Sequence, residues 1–431
     1  MGRCHAVLKI AAAVLALGGC VMAQDTPNEL LKRVQHQVAA SLSHAPNYTC
    51  TETVNRFSYL PAGHTHASCD GREFPDSDYE MRAKDRLRLD VGVSGASEIY
   101  SWHGEKRFQE GGIDELVGYG AIGSGMFSSF LAAIFDDAHG TFRFEREYTQ
   151  NGRSVSVFSY TVPRNVSTWQ VQAGETKAIV GYQGRFVVDS GTADLLALSV
   201  ETIDVTHSVA TSCGIRISTQ YHRVPLGSGT FLLPQQVKTV MLNRDGGKNK
   251  SETEYSDCHQ FTTESSIHFE DPGSTAAAVA AAPPVDADLP ADLSFRARVT
   301  TPVDPESSWV GDSVEGVLEE PLRGLDHETL APKGAKITGR LTRLESVEQP
   351  SKELKLAIDW QRIDAGKTIY HLAARKAGST DRSANKLGET SLSLQETVPD
   401  QTFTLKGAHT KLGGTFVSRW VTEKLPAGTR H

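Results

Sequence analysis

The side chains best suited to chemistry lie close together in one loop-like stretch, residues 60–80. His64, His66, Cys69 and Asp70 follow one another there, and histidine and cysteine are the usual ligands of zinc. A zinc site needs further ligands at a regular spacing, and the flanking sequence does not supply a second spaced pair. A cysteine of an exported chain is also more often bridged than metal-bound. The sequence therefore predicts no bound metal.

Motifs of catalysis do not occur in the sequence. Ser124 and Ser228 each lie between two glycines, but neither has the Gly-x-Ser-x-Gly spacing of a nucleophile elbow. The sequence contains no His-Glu-x-x-His pair and no phosphate-binding loop with its lysine. We therefore predict that the protein is not an enzyme, that it has no catalytic residues and that it uses no cofactor.

Four cysteines are predicted to form disulfides. Cys50, Cys69, Cys213 and Cys258 are an even set in a chain that carries an export signal. Four cysteines allow three pairings, and the sequence leaves all three open. The most local choice joins Cys50 to Cys69 and Cys213 to Cys258. Free buried thiols are the alternative interpretation.

Residues 1–23 are typical of an export signal. Arg3 and Lys9 form a basic start, the apolar run IAAAVLAL follows, and small residues lead up to Ala23. An apolar run this short does not span a bilayer. We expect a periplasmic or extracellular protein that is cleaved near Ala23. The alternative is cleavage before Cys20, whose preceding Leu-Gly-Gly resembles a lipobox, which would give an outer-membrane lipoprotein lipidated at that cysteine.

Length and charge limit the class of protein. The chain has 431 residues, of which 39% are hydrophobic and 22% charged, and its formal net charge is −8. This length suits two domains or more, and no basic run indicates a nucleic-acid partner. An Ala/Pro-rich stretch with few large apolar residues marks a linker. The predicted parts are a signal peptide at 1–23, a first domain at 24–270, the linker at 271–290 and a second domain at 291–431.

Strand and turn signals dominate the first domain. Period-2 alternation on both sides of the Asp-Ser-Gly turn at 189–191 predicts a hairpin over Val180–Val205. The Asn-Gly pair at 151–152 predicts another hairpin. Ahead of the strands, Thr26 is the predicted N-cap of a helix, and Glu29 completes a capping box. Several long strands in succession suit a large, curved antiparallel sheet with helices lying on it.

A second helix, predicted over Gly125–Asp137, is unusually apolar. Its two adjacent rows at helical spacing form a face wider than a surface helix needs. Such a face should lie on the concave apolar side of the sheet. It is either an ordinary core helix or, in the functional interpretation, a lid that lines a hydrophobic cavity of lipid size. The residues concerned are Met126, Phe127, Phe130, Leu131, Ile134 and Phe135.

The order of elements over about Thr26–Phe269 resembles a known family. LLKRVQHQVAASLSHAPNYTCTETVNRF joins a helix to a Thr-rich strand, and RAKDRLRLDV, EIYSWHGEKRF, the apolar helix, FEREYTQNGRSVSVFSY and GRFVVDSGTADLLALSVE follow. This order is similar to the periplasmic lipoprotein-carrier fold, called LolA-like. The resemblance implies a half-open antiparallel barrel, lined with apolar residues and capped by helices, that shields acyl chains from water.

The second domain is also strand-like. GDSVEGVLEEPL followed by APKGAKITGRL resembles part of the small β-barrels of secretion and conjugation machinery, which bind other envelope proteins. The expected fold class is mainly β: a large curved antiparallel half-barrel with covering helices (α+β), then a small all-β barrel-like domain.

Two functions remain open. The first is an exported, non-catalytic cell-envelope protein that binds a hydrophobic ligand in its half-barrel, either a lipid or the acyl chains of an acylated protein. The second is a structural or interaction module of an envelope assembly, without a small ligand, whose cavity is filled by its own side chains. In both, the second domain is the expected contact for envelope proteins. A groove of several hundred Å³ with an apolar lining favours the first, and a packed core favours the second.

Overall fold

A computed structural model of the chain describes residues 26–62, 76–95, 97–105, 107–109, 112–117, 120–135, 140–173, 176–203, 212–261, 284–377, 401–406, 411–412, 414 and 416–425. These residues form mainly β-strands, as the sequence predicts. The elements of the first half are α1 (Pro27–His44), β1 (Tyr48–Pro61), β2 (Tyr79–Ser94), β3 (Ser97–Trp102), α2 (Ile113–Leu116), α3 (Ser129–Phe135), β4 (Thr141–Gln150), β5 (Arg153–Val162), β6 (Gln170–Ala173), β7 (Thr176–Ile179), β8 (Gly181–Asp189), β9 (Leu195–Ile203), β10 (Ser212–Leu226), β11 (Gly229–Asn243) and β12 (Lys248–Gln260).

The first half is one antiparallel sheet that does not close on itself. Its strands pair in the order β4-β5-β8-β9-β10-β11-β12-β1-β2-β3. Among the described residues, β3 and β4 lie at the two ends and do not pair with each other. β6 and β7 form a separate two-stranded ribbon. The predicted fold class of a large antiparallel half-barrel with covering helices is therefore confirmed.

Both predicted hairpins are present. β4 and β5 join at Asn151 and Gly152, whose φ angles of 51° and 78° are the two positive values that a type I′ turn requires. β8 and β9 join through a longer turn, in which one carboxylate oxygen of Asp189 accepts hydrogen bonds from the N–H groups of Gly191 (2.9 Å) and Thr192 (3.0 Å). An aspartate at the first position of a turn commonly satisfies backbone donors in this way.

Helix α1 begins with the predicted capping box. The Thr26 hydroxyl accepts from the Glu29 N–H, and the Glu29 carboxylate accepts from the Thr26 N–H at 2.9 Å. Three side chains at helical spacing are buried: Leu30, Val34 and Val38. This one apolar stripe packs α1 onto the sheet and leaves its other face in solvent.

One disulfide differs from the local pairing. Cys50 is bonded to Cys258, 208 positions later in the chain, and Cys213 is disulfide-bonded as well. The pairing of Cys213 with Cys258 is therefore wrong, as is that of Cys50 with Cys69. The physical reason is that β1 pairs with β12, so that the first and last strands of the half-barrel bring Cys50 and Cys258 side by side.

The second half consists of short and medium strands. It contains β13 (Val285–Asp288), β14 (Ser294–Val299), β15 (Ser313–Leu318), β16 (Leu322–Arg323), β17 (Thr329–Ala331), β18 (Lys336–Val347), β19 (Glu353–Asp364), β20 (Thr368–His371), β21 (Ala373–Lys376), β22 (Phe403–Lys406) and β23 (Val417–Glu423). β15 pairs with β18, as the sequence indicates, and β14 joins β15 to β23. The rings of Trp360 and Trp420, both fully buried, meet edge to face in its core.

The two halves are in contact through β2. β18 continues the sheet by pairing with β2 at Glu345–Val347. Beside this pairing, the Arg86 guanidinium lies 3.5 Å from the ring centre of Trp309, and Lys84 forms an ion pair with Glu306 at 2.8 Å. Most of the predicted linker at 271–290 lies outside the described residues, and its end forms β13. The domain boundaries remain a prediction.

Several sequence predictions fall outside the described residues. These are the signal peptide at 1–23 with both cleavage sites, and the loop with His64, His66, Cys69 and Asp70. Over the described part of the chain, the helices are too short or too polar to cross a bilayer. The described residues also contain no group of three or more His, Cys, Asp or Glu side chains placed to hold a metal ion.

Candidate functional site

The inner face of the half-barrel is covered by one segment of the chain. We call residues 112–135, of which 118 and 119 lie outside the described residues, the covering segment. It contains α2 and α3 and lies between β3 and β4 in the chain, the two strands at the open ends of the sheet. Helix α1 packs beside α3. Together they shield the inner face in the place where a sandwich would have a second sheet.

All six residues predicted to line a cavity lie in the covering segment and point inward. Their exposed fractions run from 0% for Ile134 to 7% for Phe135. In this structure they pack against the sheet and fill the space beneath the segment. The other four are Met126, Phe127, Phe130 and Leu131.

Helix α3 is shorter at its start than the sequence predicts. The expected helix begins at Gly125, whereas α3 begins at Ser129. Gly125 has a φ of +90°, which a side chain rarely tolerates. The N–H groups of Gly125 and Phe127 donate to the Glu98 carboxylate at 2.7 and 3.1 Å, so the chain turns here before it becomes helical. Glu98 on β3 therefore sets the start of α3, and the sequence around Gly125 does not reveal this partner.

One part of the inner face is aromatic, and we call it the aromatic end. Phe130 meets Trp169 edge to face at 5.2 Å between ring centres, and Phe135 meets Phe186 at 5.0 Å. Phe186 also stacks on Phe158 at 5.1 Å. These contacts bind α3 to β5, β8 and the chain before β6 by apolar burial and ring geometry. The aromatic end has the chemistry of a site for an apolar tail.

The neighbouring part of the inner face is polar, and we call it the polar end. It consists of Glu52 on β1, Glu98 and Tyr100 on β3, Tyr221 on β10 and Tyr255 on β12. The four elements bring these residues together because directly opposed residues of paired strands share a face, as Glu52 and Tyr255 do. Phe127 covers the cluster, and the centre of its ring lies 4.6 Å from the centre of the Tyr255 ring.

Hydrogen bonds from the polar end hold the covering segment. Besides its two backbone amide partners, the Glu98 carboxylate accepts from the Tyr100 hydroxyl at 2.6 Å. The Tyr221 hydroxyl donates to the carbonyl of Met126 at 3.3 Å. The segment is therefore fixed at its middle by directional polar bonds, and at α3 by apolar contact.

Glu52 is the most unusual residue of the polar end. It is 1% exposed, and its Oε2 atom has no hydrogen-bond partner. Burial, with a smaller contribution from the charge of Glu98, raises the pKa of Glu52 to about 8, against a hydrogen bond with Tyr255 that lowers the pKa. A buried polar atom without a partner is rare in native proteins and calls for an explanation. Burial likewise raises the pKa of Tyr100, Tyr221 and Tyr255.

A buried ion pair joins β1 to β2 on the same face of β1 as Glu52. Arg56 on β1 donates to both carboxylate oxygens of Asp85 on β2, at 2.8 and 2.5 Å. Gly120 of the covering segment lies directly over this arginine, and a Cβ there would fall 2.6 Å from an Arg56 nitrogen. The segment thus approaches the sheet closely over Arg56, over the polar end and over the aromatic end in turn.

A second concavity lies on the opposite face of the sheet. It has a volume of about 660 Å³ and is lined mostly by polar side chains of β4, β5, β8, β9 and β10. Its charges are paired, with Arg185 bound to Glu145 at 3.0 Å and Arg216 to Glu201 at 3.1 Å. The large concavity is therefore not the apolar groove that the carrier hypothesis predicts.

Sequence reasoning found the covering segment and missed the polar end. Glu52 and Glu98 lie in stretches that are predicted as strands from their β-forming residues, and that prediction assigns no role to the two glutamates. Alternation along β1 gives one signal, because Glu52 falls on the same face as the buried Cys50 and Val54. This face of β1 points to the inside of the half-barrel, so a glutamate on it is buried.

No family model and no curated protein match the sequence. Among the solved structures that match are three that cover about half of the chain, and one of them is named a LolA superfamily protein. They are a LolA superfamily protein from Nitrosomonas europaea (9% identity, 55% of this chain and 94% of that one, TM-score 0.25), the domain of an outer membrane lipoprotein-sorting protein from Vibrio parahaemolyticus (14%, 54% and 92%, 0.27), and a DUF1329 family protein from Desulfovibrio piger (10%, 56% and 97%, 0.27).

The fold class stands on the strand pairing, and the site stands on the contacts of the inner face.

Proposed function

We propose that the protein binds a hydrophobic ligand, a lipid or the acyl chains of an acylated protein, between the inner face of the half-barrel and the covering segment. In this proposal the protein is a non-catalytic component of the cell envelope. The observation that carries it is the way the inner face is closed. One segment bearing a seven-residue helix covers an aromatic surface, and a ligand tail offers that surface the same kind of contact.

The covering segment is suited to be displaced. A helix as short as α3 is not stable by itself in water, so it is ordered only by its contacts with the inner face and α1. Exchanging the apolar contacts of Phe130 and Phe135 for those of an acyl chain keeps the inner face dry. Such an exchange changes the free energy little, because burial of apolar area is not specific for the partner.

The proposed location follows from the export signal. With residues 1–23 removed near Ala23, the chain is periplasmic or extracellular, and with lipid on Cys20 it is anchored to the outer membrane. The Cys50–Cys258 disulfide supports an oxidising compartment. Envelope proteins are the proposed partners of the second half.

A structural or interaction module is the second candidate function, and one observation favours it. The six predicted lining residues are all buried, and they fill the inner face with the chain's own side chains. In this case the covering segment is permanent core. The two candidates differ in whether the segment ever leaves the sheet.

Replacement of Phe130 by aspartate separates the two candidates. Phe130 is 6% exposed, between Trp169 and Tyr182. If the segment is mobile, the charge reaches water. The variant then keeps its fold but no longer binds a lipophilic dye. If the segment is permanent core, an unpaired buried charge costs several kcal/mol, which is enough to unfold a domain of about 5–15 kcal/mol stability.

Far-UV circular dichroism and dye titration are the two measurements, and native mass spectrometry of the wild type shows any retained lipid as added mass. Phe261→Asp is the matched control, because this phenylalanine is 49% exposed just after the end of β12. It should keep both fold and dye binding. A folded Phe130→Asp variant that binds dye as the wild type does removes the segment from the site.

A further inference from the structure

From the geometry of the polar end we infer that Glu52 is the subsite for the head group of an amphiphile, and that the head group is a protonated amine. This inference rests on the proposed function and adds the chemistry of the ligand. The tail would lie at the aromatic end and the ammonium group would meet Glu52, whose buried Oε2 atom has no hydrogen-bond partner in the protein.

The first argument is the unsatisfied oxygen. Glu52 is 1% exposed, and its hydrogen bond to Tyr255 serves only part of the carboxyl group. Leaving a buried acceptor unsatisfied typically costs about 1–3 kcal/mol. A ligand that donates a hydrogen bond to Oε2 recovers this free energy. Binding of an ammonium group favours the ionised form of Glu52, which releases its proton and then accepts hydrogen bonds at Oε2.

The second argument is charge. Glu52 and Glu98 are near enough to interact electrostatically, which opposes ionisation of Glu52. The nearby guanidinium of Arg56 already donates hydrogen bonds to both carboxylate oxygens of Asp85. A cationic head group would compensate the two carboxyl groups, whereas an anionic head group would add a third negative charge. A neutral alcohol would supply the hydrogen bond without the charge.

The third argument is the aromatic surround. Tyr48, Phe127 and Tyr255 form a chain of edge-to-face contacts, with ring centres 5.9 Å apart for Tyr48 and Phe127 and 4.6 Å for Phe127 and Tyr255. Tyr100 and Tyr221 lie in the same cluster. Aromatic faces attract ammonium groups, most strongly where water is excluded. A carboxyl group among aromatic rings is the arrangement that recognises an amine.

The fourth argument is access. The groups that fix the covering segment over Glu52 are the Glu98 carboxylate, which holds Gly125 and Phe127, and the Tyr221 hydroxyl, which holds Met126. An incoming ammonium group competes for the same carboxylate. The ligand class that Glu52 would select is therefore also able to loosen the bonds that cover it.

The test uses three probes that share one long alkyl tail: an alkylammonium, the matched alkanoate and the matched alkanol. Dissociation constants are measured by isothermal titration calorimetry on the full chain, as wild type and as Glu52→Gln. The wild type should bind the alkylammonium about tenfold or more tightly than the alkanoate, and Glu52→Gln should lose that advantage, because hydrogen bonds to charged groups contribute this much. Alkanol binding should change by less than about twofold between the two proteins.

Glu254→Gln is the matched control. Glu254 precedes Tyr255 on β12 but is exposed on the outer face of the sheet, so the same change of side chain occurs on the other side of the same strand. It should leave all three dissociation constants unchanged. If Glu52→Gln does not fold by circular dichroism, Glu98→Gln replaces it, with the same expected direction for the alkylammonium.

The outcomes separate this inference from the proposed function. If the wild type binds all three probes with equal affinity, or the alkanoate most tightly, the half-barrel binds tails and the amine subsite is wrong. Equal alkylammonium binding by wild type and Glu52→Gln has the same meaning. If none of the probes binds the wild type, the proposed function itself is contradicted, and the subsite with it.

Discussion

The polar end and the aromatic end of the inner face lie under the same covering segment, but different forces hold the segment to each. At the aromatic end, Phe130 and Phe135 contact rings of the sheet, and these contacts have little directional demand. At the polar end, Glu98 holds two backbone amides in fixed geometry, and Glu52 is buried with one oxygen unsatisfied. In the proposed function, the aromatic end thus tolerates many tails, and the polar end selects one head group.

In the proposed function, this difference makes the polar end the part of the inner face that sets specificity. Apolar burial contributes in proportion to area and tolerates exchange of partners. A buried polar atom contributes only when its partner has the right donor and the right place. The half-barrel combines both along one segment, from Gly120 over Arg56 to Phe135 over Phe186.

The largest expected effect is the loss of the disulfide beside the polar end. Cys50 lies two residues before Glu52 on β1, and Cys258 follows Tyr255 on β12. Replacing both by serine should lower the free energy of unfolding by about 5 kcal/mol by the chain-entropy model, because the closed loop is very long. Urea denaturation measures the loss.

Substitution is preferable to a reductant here because Cys213 is also disulfide-bonded and would be reduced too. Peptide mapping of the non-reduced wild type supplies the control. A linked peptide that contains Cys50 and Cys258 supports the pairing of β1 with β12. Linkage of Cys50 to Cys69 would contradict this pairing, and no disulfide would then join β1 to β12 beside the polar end.

The next largest effect belongs to the aromatic end. Phe186 is fully buried, and its ring contacts those of Phe135, Phe142 and Phe158. Phe186→Ala should destabilise the first half by about 3–5 kcal/mol, the usual range for a buried phenylalanine. The loss should be the same at every pH, since these are uncharged rings.

Tyr255→Phe is the contrasting variant at the polar end, because it keeps the ring and removes the hydroxyl bonded to Glu52. Its cost should be about 1–3 kcal/mol, because the buried Glu52 carboxyl group loses this hydrogen bond. Urea denaturation at one pH gives both values. A Phe186→Ala loss no larger than that of Tyr255→Phe would mean that the rings do not form a packed core.

Much of the fold could be predicted from local sequence. The Asn-Gly pair at 151–152 and the capping box of Thr26 and Glu29 are short-range signals, and both formed as expected. The covering segment was found from its apolar rows. In each case the residues that decide the structure are neighbours in the chain.

What could not be predicted depends on distant pairing. The bond between Cys50 and Cys258 requires β1 to lie beside β12, and nothing local states that the first strand meets the last. The delayed start of α3 depends on Glu98 of another strand. The alternation along β1 places Glu52 on the inner face. Its role depends on Tyr255 and Glu98, which only the pairing of distant strands brings next to it.

The last expected effect is a change in the slope of stability with pH, and it isolates the polar end. The pKa of Glu52 is raised from an ordinary value of 4.5 to about 8 in the folded protein. Between these values the folded protein holds a proton that the unfolded chain has lost. The free energy of unfolding should therefore fall as the pH rises from about 4.5 to about 8, by ~1.4 kcal/mol per pH unit at the steepest.

Urea denaturation across that pH range compares three variants with the wild type. Glu52→Gln cannot lose the proton, so its stability should depend less on pH, while Glu254→Gln keeps the wild-type slope. Phe186→Ala should shift the whole curve down without changing its slope. The groups facing Glu52 are Glu98 on β3 and the phenols of Tyr100, Tyr221 and Tyr255, and burial raises the pKa of each phenol above this range. Equal slopes for the wild type and Glu52→Gln would mean that the pKa of Glu52 is not raised in the folded protein, and that the polar end carries this negative charge at neutral pH.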